Sequence, residues 1–249
     1  MMECDDDSDD REPKVTTFQK QFIEDCIQKV KDGSKECYFA PSDPMVTPRP
    51  NLEAYYLKPV MIWAPKARYS IDIRCNEEGC AGNLSANGFV AAPRYVHGMA
   101  TGFYFIQCRY KCDRCKKTVA ALKCQLPYYL SETCPVIFSH KSALHKEVVT
   151  FVTSAATTGM SFTEITKYLG TSRQTCYLEK KTNYLIMKKR YEESSLCSSH
   201  LTPLRLFSAF DDKQGYNEIA SPTEVYLENF FKSYVHEHSK MIDNLQKQV

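Results

Sequence analysis

No stretch of the 249-residue chain has the length of uncharged apolar sequence needed to span a bilayer. Its first residues are acidic, where a secretory signal needs a basic start before an apolar core. The expectation is a soluble, intracellular protein with no membrane partner. The motifs of common enzymes are missing too: there is no phosphate-cradling glycine loop, no His-Glu-x-x-His and no Gly-x-Ser-x-Gly elbow. A zinc nucleobase deaminase needs His-x-Glu upstream of Pro-Cys-x-x-Cys. Here His145-Lys146-Glu147 lies downstream of Cys112 and Cys115, and no proline directly precedes Cys112. Asp211 and Asp212, close to Gly215, read as a turn rather than as metal-binding carboxylates. No internal repeat is present, which argues against a solenoid. These absences predict a binding role, not an enzyme.

Cysteine is abundant, with 12 in the chain. In a reducing compartment they do not form a disulfide framework, so those that cluster point to metal. Cys75 and Cys80 flank Asn76-Glu77-Glu78-Gly79, and Cys112 and Cys115 flank Asp113-Arg114. Two close pairs separated by strand-like sequence predict a tetrahedral thiolate site on two hairpins holding a structural Zn2+. Lys111, Arg114, Lys116 and Lys117 surround the second pair and favour thiolate over thiol. The first pair is wider than the usual two-residue gap. That leaves Cys108, on the same strand face as Tyr110 and Cys112, and His97 as alternative ligands. Cys4, Cys26, Cys37, Cys124, Cys134, Cys176 and Cys197 read as ordinary small apolar residues.

The net charge of +2 conceals an asymmetry. Residues 1–13 hold seven acids and one base, and the remainder carries 31 bases against 23 acids, or +8. A basic body behind an acidic tail is compatible with nucleic-acid contact. With 43% apolar and 12% aromatic residues the chain can also build a core.

The expected fold class is α+β, with a zinc-ribbon-like β module followed by a helical module. Residues 1–13 form an acidic disordered tail. Residues 14–50 hold an amphipathic helix (Phe18, Phe22, Ile23, Cys26, Ile27, Val30), ended at Gly33, and a connector with Pro41, Pro44, Pro48 and Pro50. The body begins near Asn51. Residues 51–127 form the ribbon module: Tyr69, Ile71 and Ile73 alternate before the first knuckle, Phe103 to Cys112 runs into the second, and Val119 to Lys123 returns as a third strand.

Residues 128–193 form the helical module. A helix is expected over Ala143 to Thr157, ended by Gly159, and a second opens at Ser161 with a capping box to Glu164. The stretch SFTEITKYLGTSRQTCYLEKK resembles a helix-turn-helix: a short helix ends at Leu169-Gly170, and Ser172 caps a recognition helix reaching about Tyr191. On this reading Arg173, Gln174, Thr175 and Tyr177 face a DNA groove, and Lys180 and Lys181 meet phosphates, with Lys188, Lys189 and Arg190 continuing the basic character. The plainer reading is a compact helical hairpin with a solvated lysine face. Lys188-Lys189-Arg190 is also the one candidate for a nuclear import signal. Residues 194–249 hold a serine-rich loop and a C-terminal amphipathic helix with Leu227, Phe230, Tyr234, His238, Met241 and Leu245 in one stripe. That stripe is either a packing surface or a seam for a homo-oligomer or protein partner.

From about Asn51 onward the chain resembles a eukaryotic, cysteine-containing domain-of-unknown-function family found in transposon-related proteins of fungi and invertebrates. The resemblance rests on YYLKPVMIWAP, RYKCDRCKKT, LPYYLSETCPVIFSHKSALHKEVVTFV and FSAFDDKQGYNEIASPTEVYLENFFKSYVHEHSKMIDNL. In that family the first knuckle usually reads Cys-Pro-x-Cys, whereas this chain has CNEEGC. Longer relatives continue into a ribonuclease-H-fold, nuclease-like or transposase-like region. The resemblance therefore implies a targeting or binding part of such a protein and not the catalytic part.

Overall fold

A computed structural model describes residues 15–47, 49–139, 143–194, 211–212, 215–216 and 222–246. The acidic tail and most of the serine-rich loop lie outside these residues. Helix α1 (Thr17–Lys31) starts where the Thr16 hydroxyl accepts from the Gln19 amide at 3.2 Å. It stops at Gly33, whose φ of 99° lets Ser34 N donate to Lys29 O. Strand β1 (Tyr38–Phe39), helix α2 (Leu52–Tyr56), strand β2 (Val60–Trp63) and helix α3 (Pro65–Tyr69) follow. The body does not begin at Asn51. Ile23, Cys26 and Val30 of α1 belong to the main core, and β1 pairs with β2. Buried Gln19 locks α1 in place: its amide donates to Lys58 O at 3.1 Å, and Lys58 N donates back at 2.8 Å. Nor do Tyr69, Ile71 and Ile73 form a strand. Pro65 starts a short helix that runs through Tyr69 and ends at Ser70 with φ 53°.

Strands β3 (Leu84–Phe89), β4 (Arg94–Val96), β5 (Phe103–Cys112) and β6 (Thr118–Ala120) complete the main sheet. Strand β5 is its spine. Its first half pairs in parallel with β2 and antiparallel with β4, and its second half pairs antiparallel with β3 and β6. The expected third strand is shorter than its apolar pattern, because Ala121–Lys123 winds into a 3-10 turn.

Helix α4 (Tyr128–Ser131) leads to a hairpin of β7 (Val136–Phe138) and β8 (Ala143–His145). The helix expected from Ala143 starts only at Lys146, because Ala143–His145 pairs with β7 and His97 N donates to Ala143 O at 2.9 Å. It is α5 (Lys146–Thr157). Then come α6 (Phe162–Glu193), the hairpin of β9 (Asp211–Asp212) and β10 (Gly215–Tyr216), and α7 (Glu224–Gln246). Leu144, Val148, Val149 and Val152 form a second core with Ile165, Leu169 and Leu227, so the front of α7 packs on α5 and α6. Of the C-terminal stripe, Phe230 and Tyr234 flank this core and His238 is exposed, while the side chains of Met241 and Leu245 lie outside the described set.

The break expected at Leu169-Gly170 is absent, and α6 is one helix of 32 residues, about 48 Å long. Thr171 and Thr175 hydroxyls donate back to the carbonyls four residues earlier and do not cap a new helix. Ile165, Leu169, Arg173, Tyr177, Tyr184 and Tyr191 form one buried stripe that an interruption would destroy. The turn lies one element earlier, between α5 and α6. There Gly159 has φ 91°, Met160 N donates to Ala155 O, and the Ser161–Glu164 capping box is complete. Gly170 has nothing within 4 Å of the place its Cβ would occupy. Gly170→Ala is therefore expected to raise stability by about 0.5–1 kcal/mol in urea unfolding, through lower unfolded-chain entropy. A turn at this position would give the opposite sign.

Candidate metal centre

The two knuckles close on each other at the far end of β5. In the first, Cys80 N donates to Glu77 O at 3.0 Å, and Gly79 supplies the φ of 72° the turn requires. In the second, Lys116 adopts φ 62°, and Cys112 N donates to Lys117 O. Asn83 and Asp113 stitch them together: Asp113 N donates to Asn83 O at 3.1 Å, and Asn83 N to Asp113 Oδ1 at 2.9 Å. Lys117 Nζ pairs with Glu77 at 2.5 Å across the same seam.

Among the described residues, Cys75, Cys80, Cys112 and Cys115 gather with every sulfur within 4.8 Å of the others. The Cys75–Cys115 sulfurs are 3.7 Å apart and the Cys80–Cys112 sulfurs 3.6 Å. Bonds of about 2.3 Å to a tetrahedral metal give sulfur–sulfur edges of about 3.8 Å, while a disulfide needs about 2.05 Å. The spacing fits a metal and excludes a bridge. The wide first gap does not displace Cys75 or Cys80. Cys108 is buried on β5 with its thiol directed to Arg109 O at 3.4 Å, and His97 lies between Tyr95 and α6; neither joins the cluster.

The thiols differ in how readily they ionise. Desolvation works against the Cys112 thiolate, but the Cys115 and Arg114 amides and the neighbouring thiols outweigh it and draw its pKa from 9.0 down to about 7. At Cys75 the Glu77 amide favours the thiolate, yet desolvation and the three other thiols push the pKa up to about 12. Backbone amides, not the basic side chains expected for this role, lead the lowering at Cys112.

Residues 15–229 match the model of a family described as a domain of unknown function, DUF6729. The chain belongs to that family. No curated protein and no solved structure matches it at a significant level. The resemblance to a domain-of-unknown-function family therefore holds, and it reaches back to include α1, which the resemblance from Asn51 onward left out.

In this DUF6729 chain the six residues assigned to DNA do not share an exposed face. Gln174 and Thr175 are exposed, Lys180 and Lys181 are half-buried, and Arg173 and Tyr177 are buried at 8% and 7% exposure. The four-residue step between Arg173 and Tyr177 puts both on the packed side of α6. There an Arg173 Nη donates to Gly98 O at 3.2 Å, and Lys181 Nζ lies 5.8 Å over the Tyr177 ring. Arg173 and Tyr177 are thus corrected from groove contacts to internal struts.

Two residues were missed in the sequence. Lys58 is 1% exposed; burial foremost, then Lys180 and Arg173 against the opposing influence of Cys176, lowers its pKa to about 7. No local pattern marks it. Gly82 lies directly behind the cluster: a Cβ there would sit 2.5 Å from Cys112 Sγ and 2.6 Å from Asp113 Oδ1. Its signal was the small pair Ala81-Gly82 after the knuckle. Gly82→Ala is expected to weaken metal affinity by about tenfold or more in competition with a chromogenic chelator, because it shifts a ligand without removing one.

Proposed function

We propose that the protein is a zinc-stabilised, DNA-binding domain, a non-catalytic part of a transposon-derived protein that works in the nucleus. One observation carries the reading: four sulfurs within 4.8 Å of one another cap a sheet in which, from Arg94 to Lys123, seven bases stand against one acid, Asp113. Four thiolates favour Zn2+ over harder cations and fill its coordination sphere. With no ligand position left for water or substrate, the metal's role is to fix the knuckles and not to catalyse. Mobility shifts of the zinc-loaded protein on a generic duplex at low salt test the reading. Binding that falls steeply with salt and is lost on chelation is expected, and no shift with any duplex would sink it.

A protein-interaction module is the second reading. It is favoured by the outward side of α6, where Leu178 and Leu185, seven residues apart, are 49% and 48% exposed. A stable oligomer in light scattering, indifferent to nucleic acid, would support it over the first.

A further inference from the structure

Pairing fixes which ribbon side chains share a face. Ser85 and Thr118 lie opposite Lys111 on either side, and Ala120 lies opposite Arg109. Leu84, Tyr110, Cys112 and Val119 occupy the other face, which packs into the core. Ser85, Arg109, Lys111 and Thr118 are exposed, and so is Arg114 at the end of the face and Lys123 beside it. The nearest acid, Asp113, is held in the knuckle seam by Asn83 N, and Glu77 is engaged by Lys117. On α6, by contrast, Lys188 and Lys189 pair along the helix with Glu192 and Glu193.

We infer that this Ser85–Arg109–Lys111–Thr118 face of the β3–β5–β6 ribbon, not α6, is the surface that grips nucleic acid, and that it grips the phosphate backbone of a duplex. The inference rests on the nucleic-acid reading above. Same-face positions two residues apart on a strand are about 6.8 Å apart, close to the step between successive phosphates. Arg109 and Lys111 therefore meet neighbouring phosphates of one strand, with the Ser85 and Thr118 hydroxyls as donors beside them. The four face residues include no aromatic ring on which an unpaired base could stack, so the chemistry suits a duplex backbone and not single-stranded bases. Contact of this kind is insensitive to base sequence and strongly salt-dependent.

The test compares the zinc-loaded full chain with Arg109→Gln/Lys111→Gln/Lys123→Gln and with Lys181→Gln/Lys189→Gln/Arg190→Gln, each titrated into a 20-base-pair duplex over a salt series. The ribbon variant is expected to lose at least about tenfold in affinity and to flatten the log–log salt slope by about 2. The helix variant should bind within about twofold of the parent. If zinc content shows that Lys111→Gln disturbs the cluster, Arg109→Gln/Lys123→Gln takes its place with an expected loss of about fivefold. Duplex binding that survives in the ribbon variant but falls in the helix variant overturns the inference and leaves the nucleic-acid reading standing. So does oligo-thymidine competing better than duplex. A parent protein that binds no duplex removes both.

Discussion

Replacing Cys112 with serine is expected to abolish stoichiometric zinc and to lower the stability of the loaded protein by about 4 kcal/mol or more. Structural zinc contributes about 10–16 kcal/mol of apparent binding free energy in small zinc-dependent folds, and that energy acts as folding energy. Serine keeps the size of cysteine but offers a poorly ionising oxygen, so the remaining thiols bind far less tightly. Cys112 is the most damaging choice of the four: it is 1% exposed, and its strand position pairs with Leu84 at the edge of the main core. Metal content and chemical unfolding, measured on the same preparations, check the result. Cys108→Ser, two turns of pleat away and outside the cluster, is the control that should keep one equivalent of zinc. Full zinc retention by Cys112→Ser would refute the four-sulfur site.

Arg173→Ala is expected to cost about 3 kcal/mol, or roughly 6–12 °C in Tm for a chain of this size. The side chain holds α6 against the loop between β4 and β5, and its loss leaves the buried Gly98 carbonyl without that charged donor. Arg173→Lys should recover less than half, since one Nη of Arg173 meets both Gly98 O at 3.2 Å and His97 Nδ1 at 3.4 Å, and a lysine ammonium sits one bond short of that position. His97 supplies a pH signature. Burial, and after it Arg173, lowers its pKa from 6.5 to about 3. Between these values the unfolded chain binds a proton that the folded chain refuses, so stability falls as pH drops from about 6.5 toward 3. Removing Arg173 lifts one cause of the depression, and the acid loss of the variant should be shallower than that of the parent. Unfolding curves at pH 7 and pH 5 read the difference, and parallel losses would count against the contact.

Features carried by local chemistry were legible in the sequence. The cysteine pairs, the Gly33 stop, the Ser161–Glu164 box and the full extent of β5 each depend on residues within one turn or strand of each other. What failed depended on partners far along the chain. Gly170 looks like punctuation until Arg173 and Tyr177 are seen packed against the β body and α2. Ala143–His145 carries a helical pattern, but its backbone is claimed by β7 and by His97. The buried Gln19–Lys58 exchange that joins α1 to the body spans 39 residues and leaves no periodic trace. The exposure of Arg173 and Tyr177 was misjudged for the same reason: charge composition marks a basic segment, but only the packing of α6 shows that these two side chains turn inward.

A single strand serving both halves of the main sheet has a consequence for alignment. If β5 slipped by one residue, Arg109 and Lys111 would turn into the core, Tyr110 and Cys112 would face water, and the β2 and β4 pairings 104–107 and 103–105 would shift with them. Because Cys112 ends that strand and must meet three fixed sulfurs, the four-cysteine cluster acts as a pin through one end of a ruler. It sets the reading of every mark along its length, as far back as Phe103.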